Sequence, residues 1–251
     1  MPRFLHRFGP KWYPFYIHVF CFLVKQACKM SYRRVSKFLQ ELGFRVPTYS
    51  ALCKSLKRLT VSFVLILLQA TVQFSTTVVG AVDGMYFSQV NPSYAYLKRI
   101  KRGLPRKNTQ SVGVYDTRRK KWLGVETRRK NIGEYKLSKK ALSKLIVQIQ
   151  TLVADKGFDI NDFHRKLKRL GTIGIIPIKK GVHNGFFRNF MKKFFRTRTY
   201  HRRSLIESAI SRLKRLYGGF LYSRNTTQQR KEITLRLIAD NLNIGYKPTF
   251  N

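Results

Sequence analysis

The balance of charge constrains this chain more than any other feature of its sequence. Its 251 residues include 51 lysines and arginines but only 11 aspartates and glutamates, a formal net charge of +40 at pH 7. Hydrophobic residues make up 43% of the chain, which is enough to build a core, so a wholly disordered basic tail is excluded. Such an excess of cations predicts a polyanionic partner, with nucleic acid ahead of an anionic membrane.

Neither a membrane span nor a cysteine framework is expected. The most apolar run, Val61 to Val72, is interrupted by Gln69, whereas a span needs about 20 apolar residues. The three cysteines include no CxxC pair, which argues against a disulfide framework and a zinc site and favours buried thiols in a reducing cytosol. A phosphate-binding GxxxxGK loop is absent, so no nucleotide cofactor is expected.

Residues 1–60 are predicted to form a small all-α, helix-turn-helix-like domain that binds DNA. Ser31 and Thr48 are candidate N-caps of two short helices, and Gly43 ends the first of them. An ordinary small helical bundle remains the alternative. Residues 61–75 form a connecting segment whose periodicity does not distinguish helix from strand. The cations proposed to contact DNA from this region are Arg33, Arg34, Lys54, Lys57 and Arg58.

Residues 76–251 are predicted to form an α/β domain. Strand-like and helix-like segments follow one another in the order β-β-β-α-β-α-β-α, which favours a mixed sheet flanked by helices. Asp83 and Asp155 each follow an apolar segment and are predicted to stand at strand ends, where α/β sheets build their sites. A helix is expected over Leu137 to Gln150, and a buried strand over Ile173 to Ile178.

Residues 179–203 interleave cations with aromatic side chains, and two interpretations stay open. The cations, Lys192 and Lys193 among them, could meet phosphates while the rings stack on bases. Alternatively, Phe186, Phe190 and Phe194 are spaced as the core-facing side of an amphipathic helix.

The scarcity of acidic residues allows each one to be considered. Carboxylates on neighbouring strands can share hard divalent cations, so Asp83 and Asp155 are candidate metal ligands. A third ligand is expected from a helix beside them. If the helix predicted over Ser204 to Tyr217 extends back to Tyr200, Glu207 falls on a stripe with Tyr200, Arg203 and Lys214, next to the apolar face. An ordinary exposed charged helix would show the same periodicity.

The remaining acids have plainer explanations. Asp159 is expected to cap a helix that carries Asp162 in its first turn. Asp116 begins a turn and is the first reserve for a metal ligand. Glu126 and Glu134 are interpreted as local partners of lysines and arginines.

Tyr200-x2-Arg203-x3-Glu207-x6-Lys214 resembles the Y-R-E-K signature of prokaryotic insertion-sequence transposases with a D-D-E triad, and Asp83 and Asp155 resemble the family's two aspartates. The resemblance implies an RNase H-like catalytic domain over residues 76–251. It implies catalysis by Asp83, Asp155 and Glu207, which would hold two Mg²⁺ or Mn²⁺ ions, while Tyr200, Arg203 and Lys214 contact DNA.

The same resemblance implies a biological setting. The enzyme would cut double-stranded DNA at terminal inverted repeats and join the 3′-hydroxyl to target DNA, acting as a homodimer on DNA in the nucleoid of a prokaryotic cytoplasm. Two alternatives stay open. One is a non-catalytic DNA-binding relative that acts as a repressor. The other is a different RNase H-like nuclease, such as a junction resolvase, which would explain the carboxylates but not the four-residue signature.

Overall fold

The computed structural model describes residues 12–89, 99, 108–128, 132–179, 181 and 185–245. The chain begins with four helices, as the helical N-terminal prediction required. None of the helices within these ranges is both long and apolar enough to cross a membrane. The four helices are α1 (Phe15–Ala27), α2 (Tyr32–Glu41), α3 (Tyr49–Arg58) and α4 (Val61–Ala70).

The N-termini of α2 and α3 are capped as the sequence predicts. Ser31 Oγ accepts the Arg34 N–H at 3.3 Å, and Thr48 Oγ1 accepts the Ala51 N–H at 3.5 Å. Gly43 follows α2 with φ +81°, a left-handed conformation that favours glycine. The connection between the two helices, residues 42–48, is longer than the three or four residues typical of a helix-turn-helix.

A mixed sheet forms the centre of the molecule. Its strands lie in the order β3-β2-β1-β4-β5, and β6 pairs with the far end of β1. β2 is antiparallel to β1 and β3, whereas β4 and β6 are parallel to β1 and β5 is parallel to β4. The strands are β1 (Thr76–Gln89), β2 (Asn108–Asp116), β3 (Lys121–Arg128), β4 (Gln148–Val153), β5 (Ile173–Ile175) and β6 (Phe220–Leu221).

Helices cover both faces of this sheet, which confirms the expected α/β architecture of a mixed sheet flanked by helices. Leu137 and Phe163, from α5 and α6, pack with Val82 and Val112 on one face. On the other face, helices α9 and α10 contribute to a core that includes Met85 and Phe87 of β1. These later helices are α5 (Glu134–Leu142), α6 (Asn161–Arg169), α7 (Phe186–Phe194), α8 (Thr197–Tyr200), α9 (Ser204–Tyr217) and α10 (Thr226–Gly245).

The N-terminal helices share the second of these cores with the sheet. Buried side chains of α1 and α4, including Phe22 and Leu68, belong to the same hydrophobic cluster as Met85, and both helices pack against α10. The buried Lys231 of α10 donates to the carbonyl oxygen of Leu56 at 2.8 Å, near the end of α3. Helix α10 therefore joins the N-terminal helices to the sheet.

Several predicted boundaries are wrong. β1 continues past Asp83, because Met85 and Phe87 stay buried on one face and the strand keeps pairing with β2 as far as Ser88. The helix predicted over Leu137 to Gln150 ends at Leu142, since residues from Gln148 onward pair with β1 as β4. The strand predicted over Ile173 to Ile178 is β5, which is shorter and ends at Ile175. Cys28 is exposed, although Cys21 is buried as expected.

Candidate functional site

The first two candidate carboxylates lie at the same level of neighbouring parallel strands. Ala81 of β1 is the register partner of Val153 of β4, and Asp83 and Asp155 each follow two residues later. Asp155 retains extended backbone angles, φ −68° and ψ 160°. Because side chains alternate along a strand and neighbouring strands lie about 4.8 Å apart, both carboxylates fall on the face covered by α9. Asp83 thus stands within β1, at the point where β4 ends.

Asp83 is half-buried, and its environment disfavours its ionised form. Its Oδ1 accepts the Gly84 N–H at 2.8 Å. Burial raises the pKa of the Asp83 carboxyl above its usual value, and the nearby Glu134 and Glu207 raise it further, while the Gly84 N–H and Arg203 lower it. Two carboxylates and one arginine are therefore close enough to act on Asp83 electrostatically.

Glu207 lies in the first turn of α9, and its side chain is 48% exposed. Its Oε1 is 2.6 Å from Nη1 of Arg203, an ion pair across one helical turn. Burial alone would lower the pKa of Arg203, but Glu207, Tyr200, Asp155 and Asp83 raise it above its usual value. All three candidate carboxylates therefore act electrostatically on Arg203, and Glu207 contacts it directly.

The carboxylates have the donor chemistry of a divalent-metal site but are not gathered into one. In the part of the chain that the structure describes, no group of three or more His, Cys, Asp or Glu side chains could hold a metal ion. Carboxylate oxygens are the ligands that Mg²⁺ and Mn²⁺ prefer. Because Arg203 already pairs with Glu207, a metal ion bound by Glu207 would compete with the Arg203 guanidinium for that carboxylate.

Most acidic residues of this basic chain are paired with a lysine or arginine. Asp83, Asp155 and Glu134 are the exceptions: none of them lies within 4.0 Å of a cation among the described residues. The paired acids are Glu41, Asp116, Glu126, Asp159, Asp162, Glu207, Glu232 and Asp240. In a chain with 51 cations, these three acids stand out among the described residues because their negative charge is left without an ion-pair partner.

The other members of the stripe on α9 also lie toward β1. Tyr200 is half-buried against Phe195, with ring centroids 5.4 Å apart, and the Arg203 guanidinium is 5.9 Å from its ring. Lys214 Nζ is 5.9 Å from the ring of Phe87, which shares the Asp83 face of β1. Tyr200, Arg203, Glu207 and Lys214 thus follow one side of the α8–α9 segment.

The candidate DNA-contacting cations of the N-terminal helices are all exposed. Arg33 on α2 packs over the ring of Tyr49 at 5.0 Å, which joins the start of α2 to the start of α3. This set comprises Arg33, Arg34, Lys54, Lys57 and Arg58.

Helix α7 presents both cations and rings to solvent. Lys192 and Lys193 are exposed, and Phe186, Phe190 and Phe194 are 72%, 39% and 57% exposed. The interpretation of these phenylalanines as core residues is therefore wrong, because the buried side of α7 is made by Arg188 and Met191. An exposed surface of cations and rings remains compatible with nucleic acid.

Three of the plainer assignments can be compared with the structure. Asp116 Oδ1 accepts hydrogen bonds from the Arg118 and Arg119 N–H groups at 2.7 and 2.8 Å. Asp116 therefore stabilises a turn, and it is no longer considered a candidate metal ligand. Glu126 pairs with Lys144 and Arg230, as expected. Glu134 does not pair with a cation among the described residues, and residues 129–131, which include two neighbouring cations, lie outside them.

Asp159 has a different role from the predicted helix cap. Ile160 is the N-cap of α6, and the buried Asp159 carboxylate instead accepts from Arg188 Nε at 3.0 Å and the Lys179 N–H at 3.1 Å. His164 Nε2 lies 3.2 Å from its other oxygen. Arg188 and Lys179 are 20 or more residues away along the chain, so local patterning gave no signal of this cluster.

Comparisons with known proteins identify one family whose profile matches most of the chain. The profile of the family described as "Transposase DDE domain" matches residues 76–242. No curated protein sequence matches the chain. Among solved structures, the chain is similar to the Drosophila P element transposase strand transfer complex, with 11% identity, a TM-score of 0.33 and coverage of 89% of this chain and 63% of that one. It is also similar to a pre-cleavage Mos1 transpososome, with 11% identity, a TM-score of 0.25 and coverage of 97% and 82%.

Proposed function

The chain belongs to the transposase DDE domain family, and we propose that it cuts DNA at the ends of a mobile element and joins the freed 3′-hydroxyl to target DNA. The observation that carries this proposal is the pair of in-register carboxylates, Asp83 and Asp155, without cationic partners among the described residues. Glu207 faces the same side of the sheet from α9, and Arg203 connects the three electrostatically.

The proposed reaction assigns a role to each of these side chains. Asp83, Asp155 and Glu207 would hold two Mg²⁺ or Mn²⁺ ions, and bound ions of this kind would supply activation of the attacking oxygen and stabilisation of the leaving one. Glu207 releases Arg203 to take part in that site. Arg203, freed from the carboxylate, then turns its guanidinium to a DNA phosphate, for which its planar donors are suited.

DNA is proposed to run across the α9 side of the sheet and the exposed basic helices. Lys214 and Arg203 contact phosphates close to the carboxylates, and Tyr200 stacks or donates to a nucleotide near the cut. We assign residues 1–60 to DNA binding, 61–75 to the connection and 76–251 to catalysis. Because two element ends must be joined in one event, the active form is a homodimer on DNA. Further phosphate contacts come from Arg33, Arg34, Lys54, Lys57, Arg58, Lys192 and Lys193.

The test is a cleavage assay with Mg²⁺ or Mn²⁺ on DNA that carries terminal inverted repeats and their flanks. Asp83→Asn, Asp155→Asn and Glu207→Gln should each abolish cleavage and leave DNA binding nearly unchanged. Loss of one ligand charge should cost about 4 kcal/mol of transition-state stabilisation, or about a thousandfold in rate. The matched control is Glu41→Gln, which removes the same charge from an exposed position on α2.

The alternatives give different results in the same assay. Binding of the repeats without cleavage by the parent protein would indicate a repressor. Metal-dependent cutting of branched DNA in preference to element ends would indicate a junction resolvase. Cleavage retained by any one carboxylate variant would remove that residue from the proposed site.

A further inference from the structure

Glu134 is the one acid without a described cationic partner that the proposed triad does not use. It is the first residue of α5, on the face of the sheet opposite α9. Its carboxylate fills the space where a side chain on Gly84 would stand, so that a Cβ there would collide with Oε1. Gly84 directly follows Asp83. The Glu134 carboxylate thus lies against the backbone that carries the first proposed metal ligand.

Hydrogen bonds from β1 and β2 hold Glu134 in this position. The Tyr86 hydroxyl donates to its Oε1 at 2.9 Å, and Gln110 Nε2 donates to the Tyr86 oxygen at 3.2 Å. Gln110 Oε1 in turn accepts the Ile132 N–H at 3.0 Å, close to the start of α5. The network supplies neutral donors, which fix the carboxylate without neutralising its charge.

Two structural explanations account for only part of this arrangement. A helix dipole favours an acid in the first turn, but it does not require that acid to lie against Gly84. A buried acid that only supports the fold would resemble Glu126, whose carboxylate pairs with Lys144 and Arg230. Glu134 has no such partner among the described residues, and its charge acts on Asp83. The arrangement adds negative charge beside Asp83, which, like Asp155, forms no ion pair among the described residues.

We propose that Glu134 is a positioning residue of the metal site. Its negative charge raises the affinity of that site for divalent cations, and its carboxylate holds the β1 backbone at Asp83. This inference rests on the proposed function, because it assumes that Asp83 binds metal. Glu134 acts through β1 rather than as a ligand, since Asp83 and Gly84 are consecutive strand residues and face opposite sides of the sheet. Partners behind metal ligands commonly tune affinity in this way.

The test is calorimetric titration of the full chain with Mn²⁺ in the absence of DNA. Glu134→Gln keeps the acceptor for Tyr86 but removes the charge, and it should weaken Mn²⁺ binding about tenfold. Glu134→Asp, which keeps the charge, should weaken it less, and the control Glu41→Gln should bind as the parent does. The difference between parent and Glu134→Gln should shrink at higher ionic strength, which a purely structural effect would not do.

Measuring Asp83→Asn in the same titration distinguishes failure of the inference about Glu134 from failure of the proposed metal site. If Asp83→Asn loses Mn²⁺ binding while Glu134→Gln binds as tightly as the parent, the inference about Glu134 is overturned and the proposed site stands. If Asp83→Asn binds Mn²⁺ normally, the proposed site itself is overturned. Should Glu134→Gln fail to fold, Tyr86→Phe replaces it: loss of the anchoring donor should weaken Mn²⁺ binding, and unchanged affinity would overturn the inference.

Discussion

At the scale of single residues, the candidate site contains a charged group that lowers the stability of the folded chain. Asp83 is half-buried beside other carboxylates, and the raised pKa of its carboxyl means that its ionised form is less stable in the folded chain than in the unfolded one. When the pKa of an acid is higher in the folded than in the unfolded chain, the protein loses stability as pH rises above the pKa of the unfolded state. At neutral pH the charge on Asp83 therefore opposes folding, as expected of a residue kept for function.

Asp83→Asn is accordingly expected to raise the melting temperature of the metal-free protein by a few degrees at pH 7. The amide removes the disfavoured charge and keeps the shape and the acceptor for the Gly84 N–H. Thermal unfolding without divalent ions measures the difference. The gain should vanish near pH 4, where Asp83 of the parent also becomes protonated, and a variant less stable than the parent at pH 7 would contradict this reading.

His164 supplies a second prediction, in which stability depends on pH with the opposite sign. Burial lowers the pKa of His164, an effect that its neighbour Asp159 partly offsets and Arg188 reinforces. The unfolded chain then takes up a proton below about pH 6.5 that the folded chain does not, so stability should fall as pH drops from about 6.5. Melting temperatures between pH 7.5 and 5.5 measure this slope, and His164→Gln should flatten it. An equal slope in the variant would assign the effect to other groups.

At the scale of secondary structure elements, the relation between β1 and the α8–α9 segment determines the site. The apolar pattern of α9 and the four-residue spacing of Arg203 and Glu207 are local properties, and both are confirmed by the helix and its ion pair. The length of β1 was not predictable in the same way. Its second half is a strand because it pairs with β2 and β6, which are distant in sequence.

The difference between local patterns and long-range contacts also explains which features of the site could not be predicted from the sequence. Periodicity gave the stripe on α9, since a helix places residues three, four and seven apart on one side. It did not reveal that Glu134 meets Gly84, because that contact depends on how α5 crosses the sheet. Nor did it decide whether Phe186 is buried. A helical repeat shows that aromatic residues share a side, and only the packing of α7 shows that this side faces solvent.

Arg203 provides a prediction at this scale, because it pairs with Glu207 in the metal-free chain. Arg203→Gln should strengthen Mn²⁺ binding in the absence of DNA by up to about fivefold, the range of a partly exposed ion pair. The same variant should cleave element ends more slowly, since a phosphate contact is lost. Titration and cleavage measured on one preparation test both halves. Weaker Mn²⁺ binding by Arg203→Gln would contradict a competition between the guanidinium and the metal.

At the scale of the whole molecule, the charge of +40 dominates association with DNA. Each phosphate that a cation neutralises releases counterions, so affinity should fall steeply as salt increases. The exposed Lys54 lies on α3, before Asp83 in the sequence, and the exposed Lys193 lies on α7, between Asp155 and Glu207.

Lys54→Gln and Lys193→Gln should therefore each reduce the salt slope of DNA binding by about one while weakening affinity for all sequences alike. Binding curves at several salt concentrations, with repeat and unrelated DNA, measure this. Glu41→Gln should leave the slope unchanged. A slope equal to the parent's in one of the lysine variants would remove that lysine from the DNA surface.

The central claim is that Asp83, Asp155 and Glu207 act together in phosphoryl transfer, and a strand-joining assay tests it most directly. Precut element ends bearing a 3′-hydroxyl are incubated with the protein, plasmid DNA and Mn²⁺, so that the first cleavage step is not needed. The account predicts joined products with the parent protein and with Glu41→Gln, and none with Glu207→Gln. Joined products formed by Glu207→Gln, or no joining by a parent protein that binds the ends, would contradict it.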